Sequence, residues 1–318
     1  MVPDGVRTAR RHLPKPGPEP TLADLGENRI VAALTRRLAL GEDVRAGAGD
    51  DCAVIGRPRD ARWQLLKTDV VIEGVHFFSE EDPARVGWKA LARALSDIAA
   101  MGGTPAHALI TLAARPETPA SRIETLYAGL RKAARKFGVS IVGGETSRSP
   151  GPLFLNVALT GWVERARCVF RSGGKPGDAL YVTGRLGGSI RGRHLDFTPR
   201  LAEARWLTAN FKIRAMMDLS DGVGADLPRL AAASHCEFEL FHERLPCSPG
   251  CSAAQAFSDG EDYELLFAIA PRDAAALEAA WRKRFSRLPL TRIGSLLKPQ
   301  TTSPGSHTPS GYDHFSQR

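Results

Sequence analysis

The 318-residue chain has no run near the roughly 20 consecutive apolar residues that a membrane-spanning helix needs. Its first residues lack the apolar core of a secretory signal. The expectation is a cytoplasmic protein with no membrane partner. Cysteine is scarce. Cys52, Cys168, Cys236, Cys247 and Cys251 form no disulfide framework for a chain of this length, and the pair Cys247 and Cys251 has no second pair to complete a zinc site. Reduced, structural thiols are expected. Several nucleotide and nucleophile signatures are missing as well. There is no Gly-x-x-x-x-Gly-Lys-[Ser/Thr] phosphate loop, no Gly-x-Gly-x-x-Gly fingerprint, no kinase His-Arg-Asp or Asp-Phe-Gly set and no Gly-x-Ser-x-Gly turn. A bound nucleotide would therefore be held through metal rather than by one of these loops. No internal repeat is present.

Charge of neither sign is concentrated. The net charge is +8, but the first twenty residues, with Arg7, Arg10, Arg11 and Lys15 against Asp4 and Glu19, supply only two of those charges. Scattered basic residues argue against a nucleic-acid partner and suit a small phosphorylated substrate. Residues 1–20, rich in Pro, Gly and Arg, read as a disordered extension.

What is present is a series of carboxylates on glycine turns at strand ends. Gly47-Ala48-Gly49-Asp50-Asp51 runs into the apolar Cys52-Ala53-Val54-Ile55. Two neighbouring aspartates repel unless a cation or a proton lies between them; a solvated acidic turn is the alternative reading. A strand over Trp63–Val71 carries Asp69, and Glu73-Gly74-Val75-His76-Phe77 follows. Asp82 and Pro83 open a helix with cap and N1 proline, whose apolar stripe includes Val86, Trp88, Leu91, Leu95 and Ile98. That helix carries Asp97 among small and apolar residues, where solvation explains a carboxylate poorly. A strand over Val139–Val142 ends in Gly143-Gly144-Glu145. Asp218-Leu219-Ser220-Asp221-Gly222 precedes a helix over Val223–Ala233, and free amide groups at such a start favour anions. Further strands are expected at Ala106–Leu112, Leu153–Val163 and Ala179–Thr183. Helices are expected from Thr21 to a stop at Gly41 and over Ser121–Phe137, Leu201–Phe211 and Asp273–Arg284, with loop between Gly184 and Pro199. The alternation predicts an α/β and α+β protein of two domains, 21–165 and 166–318. Asp50, Asp51, Asp69, Asp97, Glu145, Asp218 and Asp221 are hard oxygen donors on a net basic chain. They point to Mg²⁺ shared with phosphates rather than to zinc.

These segments occur in order with Leu95-Ser96-Asp97-Ile98-Ala99-Ala100-Met101-Gly102, Arg171-Ser172-Gly173-Gly174-Lys175-Pro176-Gly177-Asp178, Gly260-Glu261-Asp262-Tyr263-Glu264 and Gly311-Tyr312-Asp313-His314-Phe315. The ordered set, from about Leu22 to Phe315, resembles the thiamine-monophosphate kinases of the aminoimidazole-ribonucleotide-synthetase-like superfamily. The resemblance implies ATP-dependent transfer of the γ-phosphoryl group to thiamine monophosphate, direct and without a phosphoenzyme. It also implies several Mg²⁺ ions and a homodimer built on the sheet of the N-terminal α/β domain, followed by a C-terminal α+β domain. By matching position it implies metal ligands at Asp51, Thr68, Asp69, Asp97, Glu145, Asp218 and Asp221. It places Gly144, Arg171 and Ser220 at ATP, and His76, Glu261 and Tyr312 at the thiamine substrate.

The chain departs from the family pattern at four positions. Glu145 replaces the usual Asp, Lys67 a small residue, Gly188 an Asp and Asp259 a Gly; the segment from Gly184 to Leu201 is also shorter. Two other readings follow from the residues: another ATP-using superfamily member with a different small substrate, and a basic nucleic-acid binder, which steeply salt-dependent binding would reveal.

Overall fold

A computed structural model describes residues 19–299 with Tyr312, His314 and Phe315. Residues 1–18, where a disordered extension is expected, and Gly311 and Asp313 of the tail motif lie outside the described residues. The chain divides into two compact units, Met1–Leu38 with Asp313–Arg318, and Ala39–Tyr312. In the first unit the expected single helix is corrected to two. Thr21 caps as expected, exchanging hydrogen bonds with Asp24. Yet α1 (Leu22–Leu25) ends at Gly26, whose φ of 70° and ψ of 165° are not helical, and α2 (Glu27–Thr35) restarts after it.

The second unit begins with a six-stranded sheet. In chain order its elements are β1 (Val44–Ala46), β2 (Ala53–Ile55), β3 (Arg62–Ile72), α3 (Pro83–Ala100), β4 (Thr104–Ala114), α4 (Ala120–Phe137), β5 (Ser140–Arg148) and β6 (Phe154–Glu164). The strands lie in the order β1-β2-β3-β6-β4-β5. β4 and β5 are parallel, joined through α4, and the other pairs are antiparallel. Leu91, Leu95 and Ile98 of α3 and Leu126 and Leu130 of α4 share one core with Leu65, Ile110, Leu155 and Val157 of the strands. Burial alternates residue by residue along β6, so one face of the sheet is packed. Leu66, Leu109 and Val142 stay exposed.

Asp82 caps α3, its side chain accepting from the Ala84 N–H at 2.9 Å. The helix then crosses α4 at near backbone contact. A β-carbon on Gly87 would lie 1.9 Å from Leu126 O, and one on Gly129 would lie 1.8 Å from Ala84 O. Only glycine allows this approach, which packs α3 closely against α4. The expected end of a strand at Gly143-Gly144-Glu145 is also corrected, since β5 runs on to Arg148. Gly144 is needed by the strand itself, because a β-carbon there would lie 1.8 Å from Ile110 O.

The second sheet follows, with β7 (Ala179–Thr183), α5 (Leu201–Asn210), β8 (Ile213–Asp218), α6 (Val223–Ala233), β9 (Glu237–Leu240), α7 (Ala253–Ser258), β10 (Leu265–Ile269), α8 (Pro271–Arg284) and β11 (Leu290–Leu297). It is antiparallel throughout, in the order β8-β10-β7-β11-β9. β7 and β10 are buried on both faces, which explains their unbroken apolar runs.

At the end of β6, Glu164 takes both guanidinium nitrogens of Arg205 on α5, at 2.5 and 2.9 Å. Those hydrogen bonds hold the Glu164 carboxyl down, from an ordinary 4.5 to about 2. A carboxyl lowered by folding stabilises fully above its unfolded value, and that contribution drains as pH falls through the folded value. Glu164→Gln is therefore expected to cost about 1 kcal/mol at neutral pH, allowing for a partly solvated pair. The cost should fade between pH 4.5 and 2. Urea melts of both proteins across that range read it directly; a pH-independent difference would assign the cost to packing instead.

Candidate active site

Three carboxylates from separate elements converge. Asp51 stands just before β2, after the turn at Gly49 (φ 112°), Asp97 lies in the last turn of α3, and Asp218 is the final residue of β8. One oxygen from each lies within 4.8 Å of the others, and all three residues are buried. Their partners are few. Arg171 Nη2 donates to Asp51 Oδ1 at 2.7 Å, Lys67 Nζ to Asp97 Oδ1 at 2.8 Å and Ser96 Oγ to Asp218 Oδ2 at 2.5 Å. Asp51 Oδ2 is buried with no hydrogen-bond partner among the described residues. Burial drives Asp97 well above the usual carboxylate range, and burial with the neighbouring Asp51 raises Asp218 to about 7. Three converging carboxylates, one of which carries an orphaned oxygen, suit a divalent cation such as Mg²⁺.

The other expected ligands are placed differently. Asp69 shares the inward face of β3 with Lys67, whose Nζ is 3.9 Å from Asp69 Oδ2; Arg93 Nη2 is 4.0 Å from Asp69 Oδ1. Against the cost of burial, these two cations hold the Asp69 carboxyl below its ordinary value. Thr68 belongs to the opposite face, its hydroxyl donating to Asn156 Oδ1 at 2.9 Å. Glu145 is exposed on β5, its carboxylate accepting from the Thr146 N–H. Asp221 is paired with Arg229. Ser220 offers its carbonyl to the Glu261 N–H at 2.7 Å. Arg171 also donates its backbone N–H to Asp50 at 3.1 Å.

A second polar cluster gathers around Lys89, which is fully buried. Its Nζ donates to His76 O at 2.6 Å and to Glu261 Oε2 at 2.7 Å. His194 Nδ1 lies 2.6 Å from Lys89 Nζ and 2.8 Å from Glu261 Oε2, so its tautomer selects which of the two it bonds. Burial lowers Lys89 to about 8 against the pull of Glu261, and it remains cationic at neutral pH. Glu261, which burial alone would raise, is brought down to about 2 by His194 and Lys89. Glu261 and Tyr263 have φ of 53° and 52°, a region that disfavours side chains. Such backbone persists only where surrounding contacts impose it; here Tyr263 stacks on Phe197 with ring centroids 4.0 Å apart. His76 Nδ1 accepts from its own turn, from the Ile72 N–H at 3.1 Å. Tyr312 donates its N–H to Asp221 O at 3.3 Å, beside the acidic turn.

Known proteins are similar to this chain along most of its length. The family described as AIR synthase related protein, N-terminal domain, matches residues 49–163. A thiamine-monophosphate kinase of Rhodopirellula baltica is 40% identical over 289 residues, covering 85% of this chain and 89% of that protein. The chain belongs to the thiamine-monophosphate kinase family. The Escherichia coli K12 thiamine-monophosphate kinase is 32% identical over 92% of this chain and 98% of its own length. A solved structure of AaThiL complexed with AMPPCP and TMP superposes with a TM-score of 0.77, at 29% identity, covering 93% of this chain and 99% of that one.

Within this thiamine-monophosphate kinase family member, sequence reasoning passes over Ser96, Lys89, Arg93, His194 and Asp226 as site residues. For α3 the signal is available. Lys89, Arg93 and Asp97 recur at a spacing of four, on one helix face, inside an apolar stretch. Polar residues at the period of a buried stripe mark a polar face packed inward. His194 carries no such signal, because it sits in a 3-10 turn of an irregular segment. Asp226, fully buried in the first turn of α6, accepts from the Asp221 N–H at 2.9 Å and closes the turn that presents Ser220 and Asp221.

Proposed function

We propose that this enzyme transfers the γ-phosphoryl group of ATP directly, in line, to the phosphate of thiamine monophosphate, giving thiamine diphosphate with Mg²⁺ as cofactor. The observation that carries this is the meeting of Asp51, Asp97 and Asp218 with an unpartnered Asp51 oxygen, in a chain whose relatives are named for this reaction. The AaThiL complex with AMPPCP and TMP supports the same pair of substrates here. Asp51, Asp97 and Asp218 would hold Mg²⁺, with Asp69, Asp221 and Glu145 contributing to further ions and Thr68, whose hydroxyl belongs to the other face of the sheet, contributing only through its backbone. When bound, Mg²⁺ neutralises the phosphates and the charge that develops on transfer.

The chain's own residues supply position. Arg171 holds one oxygen of Asp51 and leaves the other without a partner among the described residues. Ser96 fixes Asp218. The acceptor is a phosphate oxygen already ionised at neutral pH, so no side chain has to act as general base. Arg171, Ser220 and Gly144 would line the nucleotide. His76, Glu261 and Tyr312 would meet the thiamine moiety, with Glu261 held in place by Lys89 and His194. The two sheets would form two domains dividing near residue 165. Among the described residues no helix is long and apolar enough to cross a membrane. The location we propose, on the likeness to the thiamine-monophosphate kinases, is cytoplasmic. Purified protein incubated with ATP, Mg²⁺ and thiamine monophosphate should yield thiamine diphosphate and ADP by chromatography, and none without Mg²⁺. Nucleotide binding without that product would redirect the assignment to another small acceptor.

The exposed face of the six-stranded sheet supports a homodimer. Leu66, Leu109 and Val142 line an apolar groove of about 450 Å³ there. Exposed apolar patches on strands mark association surfaces. Light scattering should give twice the 34.3 kDa chain mass. Leu109→Glu with Val142→Glu should give the single-chain mass, and a double-mass variant would place the interface elsewhere.

A further inference from the structure

Lys67 is an ammonium inserted among carboxylates. Alternate side chains of a strand point to opposite faces. Lys67 and Asp69 thus share the face on which Leu65 and Val71 are buried, while Thr68 takes the other. Lys67 Nζ bonds Asp97 Oδ1 at 2.8 Å and stands 3.9 Å from Asp69 Oδ2, linking a strand carboxylate to a helix carboxylate. A divalent ion shared by Asp69 and Asp97 would need the same space and would bring two charges. The ammonium brings one charge and cannot dissociate from the chain.

We infer that Lys67 is a tethered cation of this site. It occupies the region between Asp69 and Asp97 that a metal ion would share, so this side of the site holds one divalent ion fewer. It also keeps Asp97 turned toward Asp51 and Asp218 before any metal arrives. Lys67 is therefore a positioning residue that sets metal stoichiometry. The inference rests on the reading of Asp51, Asp97 and Asp218 as a cation site, but not on the identity of the phosphoryl acceptor.

The test counts ions without turnover. Mn²⁺ is titrated into full-length wild type, Lys67→Met and Lys67→Arg without nucleotide, with bound ions read by calorimetry and by the electron paramagnetic resonance of free Mn²⁺. Methionine keeps the length and the apolar stem but removes the ammonium. Lys67→Met should bind one more Mn²⁺ per chain than wild type. It should hold the tightest ion about tenfold more strongly, because a nearby positive charge is gone. Its metal-free Tm should fall and recover with Mn²⁺ by more than that of wild type. Lys67→Arg should keep the wild-type count. An unchanged count and affinity in folded Lys67→Met would overturn the inference, as would loss of Mn²⁺ binding in that variant. If Lys67→Met does not fold, Lys67→Gln takes its place under the same criteria. Wild type that binds no Mn²⁺ overturns both the cation site and the place of Lys67 in it. A failed thiamine diphosphate assay leaves the ion count standing.

Discussion

Asp97→Asn is expected to abolish thiamine diphosphate formation, by about 10³-fold or more, while leaving the fold intact. The reason lies in where Asp97 stands. Its side chain is buried between Lys67 and two other carboxylates, and burial already favours its neutral form when no metal compensates the charge. Asparagine reproduces that neutral shape, and its amide oxygen can still accept from Lys67. Stability should change by about 1 kcal/mol or less. What is lost is the negative oxygen that a cation needs. Product assays and thermal melts on the same preparation separate the two effects. A variant with near-normal activity would remove Asp97 from the metal set. A variant that is inactive because it melts tens of degrees early would make Asp97 a structural residue.

The second large effect is expected at Lys89. No part of Lys89 is exposed, and its ammonium serves His76 O, Glu261 and the region of His194 together. Lys89→Met keeps the volume and strips the donors. It leaves a carboxylate, largely enclosed, without its cation, and a broken buried pair of this kind costs about 3–5 kcal/mol. Urea denaturation should show that loss. Adding Glu261→Gln should recover part of it, because the second change removes the uncompensated charge. In folded Lys89→Met, KM for thiamine monophosphate should rise more than KM for ATP, since Glu261 is proposed to meet the thiamine moiety. A cost below about 1 kcal/mol would mean that water replaces the ammonium without penalty.

Much of this architecture is legible in the sequence for identifiable reasons. The helix over Pro83–Ala100 announces itself through Asp82, Pro83 and an apolar stripe, and both ends of Val223–Ala233 fall where the sequence puts them. Strands such as Ala179–Thr183 are short apolar runs bounded by turns and are read as such. Two misreadings share one cause, since glycine has more than one use. Gly143 and Gly144 look like the end of a strand, but Gly144 serves the close approach of β4. Gly26, inside an apparently continuous helical pattern, breaks it.

At the site, the three carboxylates that meet are visible separately in the sequence, on an acidic glycine turn, within an apolar helix and at a strand end. That they meet is visible only through the ordered likeness to a known family, because they come from a turn, a helix and a strand far apart in the chain. Lys67 stands out in the sequence as an irregularity. Its bond to Asp97 depends on the register of β3 against α3, which no local pattern encodes.

The bond from Ser96 to Asp218 joins residues 122 positions apart, and that from Arg171 to Asp51 joins residues 120 apart. Closing loops of that length costs entropy before any contact repays it. A growing chain that has emerged only as far as β6 already carries Asp51, Asp69 and Asp97, but neither Arg171 nor Asp218. The proposed metal affinity would thus be a property of the finished protein, and the uptake of an ion in a refolding experiment would time the last long-range docking event rather than the first collapse.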